Sequence, residues 1–340
     1  MTTRAPDAPF ALARFRDDAG VTLGVVRGDR IRPLGPDELG AADLNAFLAA
    51  AEWARLETLA HADGPWRALS DVTLTAPVEP RQVLQAGANY RTHVIQLAVA
   101  SMTRGDSGIS EEEARARAER AMDERAASGR AFIFIGLPQC VVGDDEPLVL
   151  PAGSDRHDWE LELAAVIGAP AFRVTPEEAA AHVAGYTIVN DITTRDLVFP
   201  RDVGAMGADW FRSKNAPGFL PTGPFLVPAP YVDPGDLRVH LELNGRTMQD
   251  ASTAELVYDV AHIVSTASQT IPLLPGDLVL TGSPAGNGQH WDRFLRDGDV
   301  LTGSITHLGT QVVRCVAEPS ASSPTSAATP HPRRLGEIRA

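Results

Sequence analysis

The chain has 340 residues, 44% hydrophobic amino acids and a formal net charge of −14 at pH 7. This length and composition are typical of a globular protein that buries a full core and divides into one large domain and one smaller one. The negative charge opposes binding to nucleic acid and to anionic membranes, so small metabolites and metal cations remain as the expected partners.

Neither targeting segments nor reactive cysteines stand out. No apolar stretch has the length of a signal-peptide core or of a membrane-spanning helix, so we expect a cytoplasmic location and no membrane partner. Cys140 and Cys315 form no CxxC motif and lie in apolar surroundings. This pattern favours two buried free thiols over a disulfide or a metal site.

The first 78 residues predict a small N-terminal αβ domain. Residues 8–35 combine strand-like alternation with turn residues, which indicates short strands. A helix is expected from Asp43 to about Leu59. This segment shows no convergent polar chemistry, so we expect it to support packing or dimerisation.

A strand that ends near Gly87 leads into the segment NYRTH at residues 89–93. Imidazole titrates close to neutral pH, so His93 is a candidate general base. A lone histidine after a strand also serves structural roles. The residues alone leave both interpretations open.

Residues 110–129 predict a helix, because Ser110 and Glu113 form a capping box and Glu-to-Arg pairs follow at a spacing of four. The apolar face of this helix contains only alanine and methionine, which packs weakly. Residues 94–130 are therefore either a mobile flap over a site or a solvated surface insertion.

The stretch HDWELELAAVIG at residues 157–168 alternates acidic and apolar side chains. A strand with this period of two places Asp158, Glu160 and Glu162 on one face, with neighbours about 6.5 to 7 Å apart. If that face is buried, the carboxylates need a cation, protons or a basic partner. The alternative is a half-exposed strand whose acidic face meets water.

A second strand-like run, GYTIVND, ends at Asp191. If this run pairs beside the first strand, Asp191 joins Glu160 and Glu162. Three carboxylates form an all-oxygen site, which suits Mg²⁺, Mn²⁺ or Ca²⁺ and not zinc.

The remaining segments predict a loop, a hairpin, a helix and a tail. Residues 207–228 are rich in Gly and Pro and indicate a long irregular loop. The Asn244-Gly245 pair predicts a hairpin turn, and residues 254–268 predict a helix that is capped by Ser252. Residues 319–340 have few apolar side chains and predict a disordered tail.

Lys214 is the single lysine among 30 basic residues. Lysine offers a compact, titratable ammonium that arginine cannot replace. A lysine in a chain that otherwise uses arginine is a candidate for chemistry, although its survival on the surface by chance is equally open at this point.

Six motifs occur together and in order: GANYRTH, DWELELAAVIG, GYTIVNDITTRDL, DWFRSK followed by PTGPFLVP, LNGRTMQ, and PGDLVLTGSPAGNG. In this combination the chain resembles the fumarylacetoacetate hydrolase family over about residues 80–316. The resemblance implies an α+β, mostly β fold, a mixed β-roll that is commonly dimeric. It places a catalytic domain at 79–318, with the flap inside it.

The resemblance also implies roles for individual residues. The implied ligands of a divalent cation, Mg²⁺ in the first place and otherwise Mn²⁺ or Ca²⁺, are Glu160, Glu162 and Asp191. The implied catalytic residues are His93, Lys214 and Arg195. The implied substrate contacts are Tyr90, Gln96, Thr281 and Gly282.

The activity that these features imply is metal-dependent hydrolysis of a carbon–carbon bond in a diketo acid, such as an acylpyruvate or a fumarylpyruvate-like compound. The ion would stabilise the enolate that forms when the bond breaks. Lys214 and Arg195 would hold the oxyanion or the carboxylate, His93 would activate water, and the backbone of Thr281 and Gly282 would bind the substrate carboxylate.

The sequence departs from the family pattern at two positions. Many relatives carry a glutamate three residues after the flap histidine, where this chain has Gln96; Glu111, Glu112 or Glu113 could replace that acid. Without it, the alternatives are decarboxylation of a β-keto acid such as oxaloacetate or keto–enol isomerisation, and a non-catalytic binding protein is a further alternative. Gly136 stands where relatives often carry lysine in a similar strand.

Overall fold

The structure is a computed structural model that describes residues 3–18, 20–103, 108–128, 130–200 and 206–319. The predicted disordered tail lies, except for residue 319, outside the described residues, and so does Gly129 at the predicted end of the flap helix. No helix in the described ranges is long and apolar enough to cross a membrane.

The strands, numbered in chain order, are β1 Ala11–Asp17, β2 Gly20–Arg27, β3 Arg30–Pro33, β4 Arg67–Ala68, β5 Thr73–Thr75, β6 Val83–Gly87, β7 Phe132–Gly136, β8 Val141–Val142, β9 Leu148–Leu150, β10 His157–Asp158, β11 Leu161–Ile167, β12 Val183–Asn190, β13 Thr193–Thr194, β14 Leu220–Pro221, β15 Phe225–Pro228, β16 Arg238–Leu243, β17 Arg246–Ser252, β18 Leu278–Leu280, β19 Val300–Ile305 and β20 Gly309–Ala317. The helices are α1 Pro36–Leu39, α2 Leu44–Leu48, α3 Trp53–His61, α4 Arg91–Met102, α5 Glu111–Ser128, α6 Pro176–Ala179, α7 Trp210–Lys214, α8 Val260–Ser268 and α9 Gly288–Trp291.

Two large sheets organise the molecule. The first runs in the order β4-β3-β2-β1-β15-β12-β11-β18-β6-β7, with β5 paired to β1, and the second runs β17-β16-β19-β20-β9. Most neighbours in these sheets are antiparallel, whereas β18 with β6 and β20 with β9 are parallel. The predicted α+β, mostly β class is therefore confirmed. β11 and β12 are buried along their whole length at the centre of the first sheet.

The N-terminal segment extends the first sheet. β1 pairs antiparallel with β15, where Leu12 lies opposite Leu226. Phe10 and Leu12 also share a hydrophobic cluster with Val166 of β11. The N-terminal strands thus buttress the central strands directly, and the division of the chain at residue 78 stays a prediction.

Two predicted helices have different bounds in the structure. The helix expected at 43–59 is divided into α2 and α3; the Asp43 side chain caps α2 by accepting a hydrogen bond from the Ala46 amide at 2.8 Å. The helix expected from residue 254 begins at Val260, because Asp259 is its N-cap. Ser252 instead caps a 3₁₀ turn. A capping residue alone does not distinguish such a turn from the start of an α-helix.

Three further predictions concern a loop, a turn and two thiols. The prediction of an irregular loop over 207–228 is wrong, because α7, β14 and β15 lie within it. The hairpin is confirmed: Asn244 and Gly245 join β16 and β17 with φ angles of 53° and 80°. Both φ angles are positive, as a two-residue hairpin turn of type I′ requires. Cys140 and Cys315 are buried free thiols, as expected.

The segment predicted as a flap forms two helices that pack on each other. Ile95 and Val99 of α4 and Ala114, Ala118 and Met122 of α5 make a small hydrophobic cluster separate from the two main ones. The end of α5 is tied to the sheet, because Arg125 donates a hydrogen bond to the Ala88 carbonyl at 2.9 Å. The predicted helix is confirmed, whereas its mobility stays a prediction.

Asp144 generates a prediction about pH and stability. Burial raises the pKa of Asp144 to about 7, although hydrogen bonds from Thr3 and Val312 oppose the shift. The native state then binds a proton that the unfolded state releases between about pH 4 and 7, so its stability falls as the pH rises through this window. Asp144→Asn should flatten this fall by up to about 4 kcal/mol.

The measurement is urea unfolding at pH 5 and at pH 8. The exposed Asp18 provides the control, because Asp18→Asn removes a carboxylate from the surface and should leave the pH dependence unchanged. If the free energy of unfolding has the same pH dependence in the wild type and in Asp144→Asn, the raised pKa of Asp144 is contradicted.

Candidate metal centre and active site

The pairing of β11 with β12 brings three carboxylates together. Leu161 lies opposite Asn190, and the amide of Asp191 donates a hydrogen bond to the Glu160 carbonyl at 2.8 Å, so the two chain segments stay side by side beyond the ladder. Single carboxylate oxygens of Glu160, Glu162 and Asp191 lie within 4.8 Å of one another. These three residues form a group that can hold a metal ion.

Two cations face this group. The Lys214 ammonium, at the end of α7, donates to Glu160 Oε2 at 2.6 Å and to Asp191 Oδ2. The Arg195 guanidinium, just after β13, donates from Nη2 to Glu160 Oε1 at 2.6 Å. Lys214 is only 2% exposed, so the interpretation of it as a chance surface lysine is wrong.

Asp158 has other partners. It accepts a hydrogen bond from Arg195 Nε at 2.6 Å and from the backbone amides of Gly288 and Gln289 at the start of α9. These contacts turn Asp158 away from the group of three carboxylates and fix the orientation of Arg195. Asp158 and Glu162 are buried, so the alternative of an acidic strand face in water is wrong.

The charges of this cluster do not balance. Within the described residues, the cations that pair with Asp158, Glu160, Glu162 and Asp191 are Lys214 and Arg195, which leaves two negative charges in excess when all groups are ionised. Buried charges require compensation, and one divalent cation would supply it.

The pKa shifts reflect the same excess of negative charge. Burial and the charges of Asp191 and Glu160 raise the pKa of Glu162 well above its usual value. Burial raises the pKa of Asp191 to about 6. Burial would also raise the pKa of Glu160, but Arg195 and Lys214 outweigh it and lower that pKa to about 2.

Several buried polar atoms at the centre have no hydrogen-bond partner among the described residues. They include Asp191 Oδ1 and the Tyr90 hydroxyl, whereas the Gln85 amide lies close enough to Asp191 to oppose the rise that burial causes in the pKa of that carboxyl. Burial and the charge of Glu162 raise the pKa of Tyr90, which keeps its hydroxyl protonated. Hard oxygen donors with free lone pairs suit a hard divalent cation, so the residues present fit such an ion.

His93 lies on α4 and lines the same cavity as the carboxylates. Burial lowers its pKa to about 4, and the charge of Glu160 only partly offsets this effect. No carboxylate among the described residues is hydrogen-bonded to its ring. The imidazole is therefore neutral at pH 7 and can accept a proton.

None of the flap residues predicted to assist His93 lines the cavity. Gln96 is half-buried on α4 and does not line the cavity. Glu111, Glu112 and Glu113 are exposed at the start of α5, away from the cavity. The arginines of the same helix pair with the first and third of these glutamates.

The predicted substrate contacts on the glycine-rich loop have structural hydrogen bonds instead. Thr281 Oγ1 donates to the Leu163 carbonyl at 3.0 Å, and the Gly282 amide donates to Glu162 Oε2 at 2.8 Å. These bonds hold the ligand strand and one carboxylate in place. Their role in binding substrate stays a prediction, while Ser283, the next residue, lines the cavity.

The cavity has a volume of about 570 Å³. It is lined by Ala86, Gly87, Ala88, His93, Phe134, Glu160, Glu162, Asp191, Arg195, Val198, Phe199, Trp210, Lys214, Ser283, Asn287 and Gln289. It therefore contains both the carboxylates and the two buried cations.

Sequence reasoning did not identify the aromatic residues of the cavity. Trp210 stacks on Phe134 with a centroid distance of 4.7 Å and an interplanar angle of 18°. The aromatic residues of β7 and the DWF motif were visible signals, but nothing in the sequence showed that the two segments meet. Gln85 was also missed; Gly136 makes room for it, because a Cβ at residue 136 would overlap the Gln85 amide oxygen.

The charge imbalance predicts that Mg²⁺ or Mn²⁺ stabilises the fold. A ligand that binds only the native state adds about 2.7 kcal/mol at 100 times its Kd, so the Tm measured by differential scanning fluorimetry should rise with ion concentration. Asp191→Asn should abolish most of this rise. The control Asp196→Asn changes an exposed carboxylate nearby and should keep it. A rise that persists in Asp191→Asn would argue against this ligand.

Comparison with known proteins supports a family assignment. Residues 82–316 match the family described as Fumarylacetoacetate (FAA) hydrolase C-terminal. The chain is 40% identical over 184 residues to the 2,4-didehydro-3-deoxy-L-rhamnonate hydrolase of Sphingomonas sp. (strain SKA58), a match that spans 53% of this chain and 63% of that relative. It is 32% identical over 251 residues to the Bos taurus protein named Oxaloacetate tautomerase FAHD2A, mitochondrial, which covers 73% of this chain and 70% of the relative.

Solved structures show the same fold. The fumarylacetoacetate hydrolase from psychrophilic Exiguobacterium antarcticum superposes with a TM-score of 0.71 and 29% identity, covering 91% of this chain and 100% of that one. The 2-hydroxyhepta-2,4-diene-1,7-dioate isomerase from Mycobacterium marinum gives a TM-score of 0.66 and 28% identity, covering 91% and 99%. The chain belongs to the fumarylacetoacetate hydrolase family.

Proposed function

We propose that this protein is a divalent-metal-dependent enzyme that hydrolyses a carbon–carbon bond in a diketo acid of the acylpyruvate type. The observation that carries the proposal is one cavity that contains three converging carboxylates, a buried lysine and a neutral histidine. The name of the relative that is 40% identical, a hydrolase of a keto sugar acid, supports the hydrolytic reading.

The residues of the metal centre have different roles. Glu160, Glu162 and Asp191 would hold a divalent cation, which supplies chelation of two substrate oxygens and stabilisation of the enolate charge. Arg195, fixed by Asp158, keeps Glu160 ionised.

Lys214 reaches both Glu160 and Asp191 and carries a positive charge; burial opposes that charge, but the two carboxylates outweigh burial and raise the pKa of Lys214. Its ammonium would donate a hydrogen bond to the substrate as negative charge develops.

His93 acts on water in this scheme. Its neutral ring accepts a proton from a water molecule, and the oxygen adds to the distal carbonyl of the acylpyruvate. The carbon–carbon bond then breaks, with the electron pair leaving on the pyruvate fragment as its enolate. A proton returned to the methylene carbon completes pyruvate, so one water and one acylpyruvate yield pyruvate and one carboxylic acid.

Keto–enol tautomerisation or decarboxylation of a β-keto acid is the second candidate. The observation in its favour is that His93 has no carboxylate partner among the described residues, and the glutamates of α5 are turned to solvent. A carboxylate would stabilise the imidazolium that water activation creates. The relative named as an oxaloacetate tautomerase agrees with this alternative.

We also propose Mg²⁺ as the ion, with Mn²⁺ as a substitute, and a homodimer as the functional assembly. The all-oxygen donor set supports the choice of ion. The dimer rests on the family resemblance alone.

The decisive assay is product analysis with acylpyruvates and oxaloacetate in the presence of Mg²⁺. We expect pyruvate and a carboxylic acid in equal amounts from an acylpyruvate, and no turnover after chelation of the ion by EDTA. Release of CO₂ from oxaloacetate, or enol-to-keto conversion without cleavage of any acylpyruvate, would sink the hydrolase proposal in favour of the second candidate.

Lys214→Arg tests whether the ammonium itself is required. The larger guanidinium cannot fit between Glu160 and Asp191 with the same geometry, so kcat should fall by about 100-fold or more, as after loss of one preorganised donor. Arg212→Lys on the same helix is the matched control, because its side chain is about half exposed and should leave kcat unchanged. Near-normal turnover in Lys214→Arg would remove the lysine from the mechanism.

A further inference from the structure

The walls of the active-site cavity differ in chemistry. The polar lining includes Ser283 and Asn287 of the glycine-rich loop and Gln289 of α9. The apolar lining includes the aromatic rings of Phe134 of β7 and Trp210 of α7, together with Val198 and Phe199. The Asp209 amide donates to the Val198 carbonyl at 2.8 Å, which holds Val198 beside the start of α7. We call Phe134, Val198, Phe199 and Trp210 the aromatic wall.

The aromatic wall begins at the reactive centre. The Lys214 ammonium lies 5.4 Å from the centroid of the Phe134 ring. Trp210 stacks on the same ring with a centroid distance of 4.7 Å. Phe132 adds a third ring at 6.1 Å from Trp210. A substrate whose oxygens lie at the carboxylates therefore extends its remaining atoms along aromatic surface.

The outer part of the wall is exposed apolar surface. The Phe199 side chain lines the cavity while 70% exposed. When an apolar group of a ligand covers a large apolar side chain in a cavity, the removal of both from water favours binding. The same side chain offers nothing to a charged group.

The positive charges of the cavity are already paired. Among the described lining residues, Lys214 and Arg195 carry the positive charge, and both bind carboxylates of the metal centre. Arg125 reaches the carbonyls of Gly87 and Ala88 at the rim but does not line the cavity. A second carboxylate at the far end of a substrate would lose its hydration without a described cation to receive it.

We propose, as a deepening of the proposed function on which it rests, that the substrate carries an uncharged aromatic or branched apolar group beyond the distal carbonyl. Acids with a second carboxylate in that position, including fumarylpyruvate-like compounds, are then poor ligands. The reaction is unchanged: water adds to the distal carbonyl, the carbon–carbon bond breaks, and the leaving acid is aromatic or aliphatic with a single carboxyl group.

The test uses two acylpyruvates that differ by one carboxylate. Isothermal titration calorimetry measures binding of 2,4-dioxo-4-phenylbutanoate and of its para-carboxyphenyl analogue to the full chain with Mg²⁺ and the substitution His93→Gln, because the wild-type chain would cleave acylpyruvates during the titration. We expect the phenyl compound to bind at least 10-fold more tightly. Equal affinity, or tighter binding of the dicarboxylate, overturns the inference.

Two variants locate the preference on the aromatic wall. Phe199→Arg places a cation on an already exposed position. It should reduce or reverse the preference for the phenyl compound over its para-carboxyphenyl analogue. Trp210→Ala should weaken binding of the phenyl compound about 10-fold and leave binding of pyruvate unchanged. The control is Phe172→Arg, at another exposed phenylalanine outside the cavity, which should preserve the wild-type preference. An unchanged preference in Phe199→Arg contradicts the inference.

Turnover of the same two compounds by the wild-type chain separates the two proposals. Preferential binding of the phenyl compound without cleavage overturns the hydrolase proposal and retains the apolar site. Cleavage of both compounds with equal kcat/KM overturns the apolar site and retains the hydrolase proposal. Absence of binding by either compound overturns both.

Discussion

The compensation of buried negative charge is the constraint on which this structure depends. Four carboxylates lie close together beside the central strands, and in the part of the chain that the structure describes Lys214 and Arg195 are the cations paired with them. Each cation comes from a different segment, so the fold must bring β13 and α7 to the ends of β11 and β12. Removing either cation would leave a buried charge uncompensated, a defect that typically costs about 3 to 5 kcal/mol. The same charged contacts therefore determine both the chemistry of the site and the packing of its segments.

Local patterns predicted the elements that local forces determine. The Asn244-Gly245 turn and the helix after Ser110 each depend on residues a few positions apart, and the structure contains them. The single strand expected through Asp158, Glu160 and Glu162 is interrupted, because β10 ends at Asp158 and pairs with β13, whereas β11 begins at Leu161. The proximity of Asp191 to the glutamates was a conditional prediction, because pairing of β11 with β12 could not be read from either strand alone. The ordered series of motifs resolved that condition.

Long-range contacts explain what the sequence left hidden. α7 is a short helix in a segment rich in Gly and Pro, and it forms where Asp209 caps it and Trp210 packs on Phe134 of a distant strand. The joining of N-terminal strands to the central sheet depends likewise on β15, more than 200 residues away. Ser252 and Glu255 suggested a helix start near residue 254, whereas Ser252 caps a 3₁₀ turn and the Asp259 side chain caps α8.

The pair formed by Gly136 and Gln85 determines which strand delivers a polar group to the centre. A glycine on β7 leaves the space that the amide from β6 fills, so the two positions are complementary in size. In this chain the group on β6 is a neutral amide, so the described cations that reach the carboxylates come from the segments of β13 and α7.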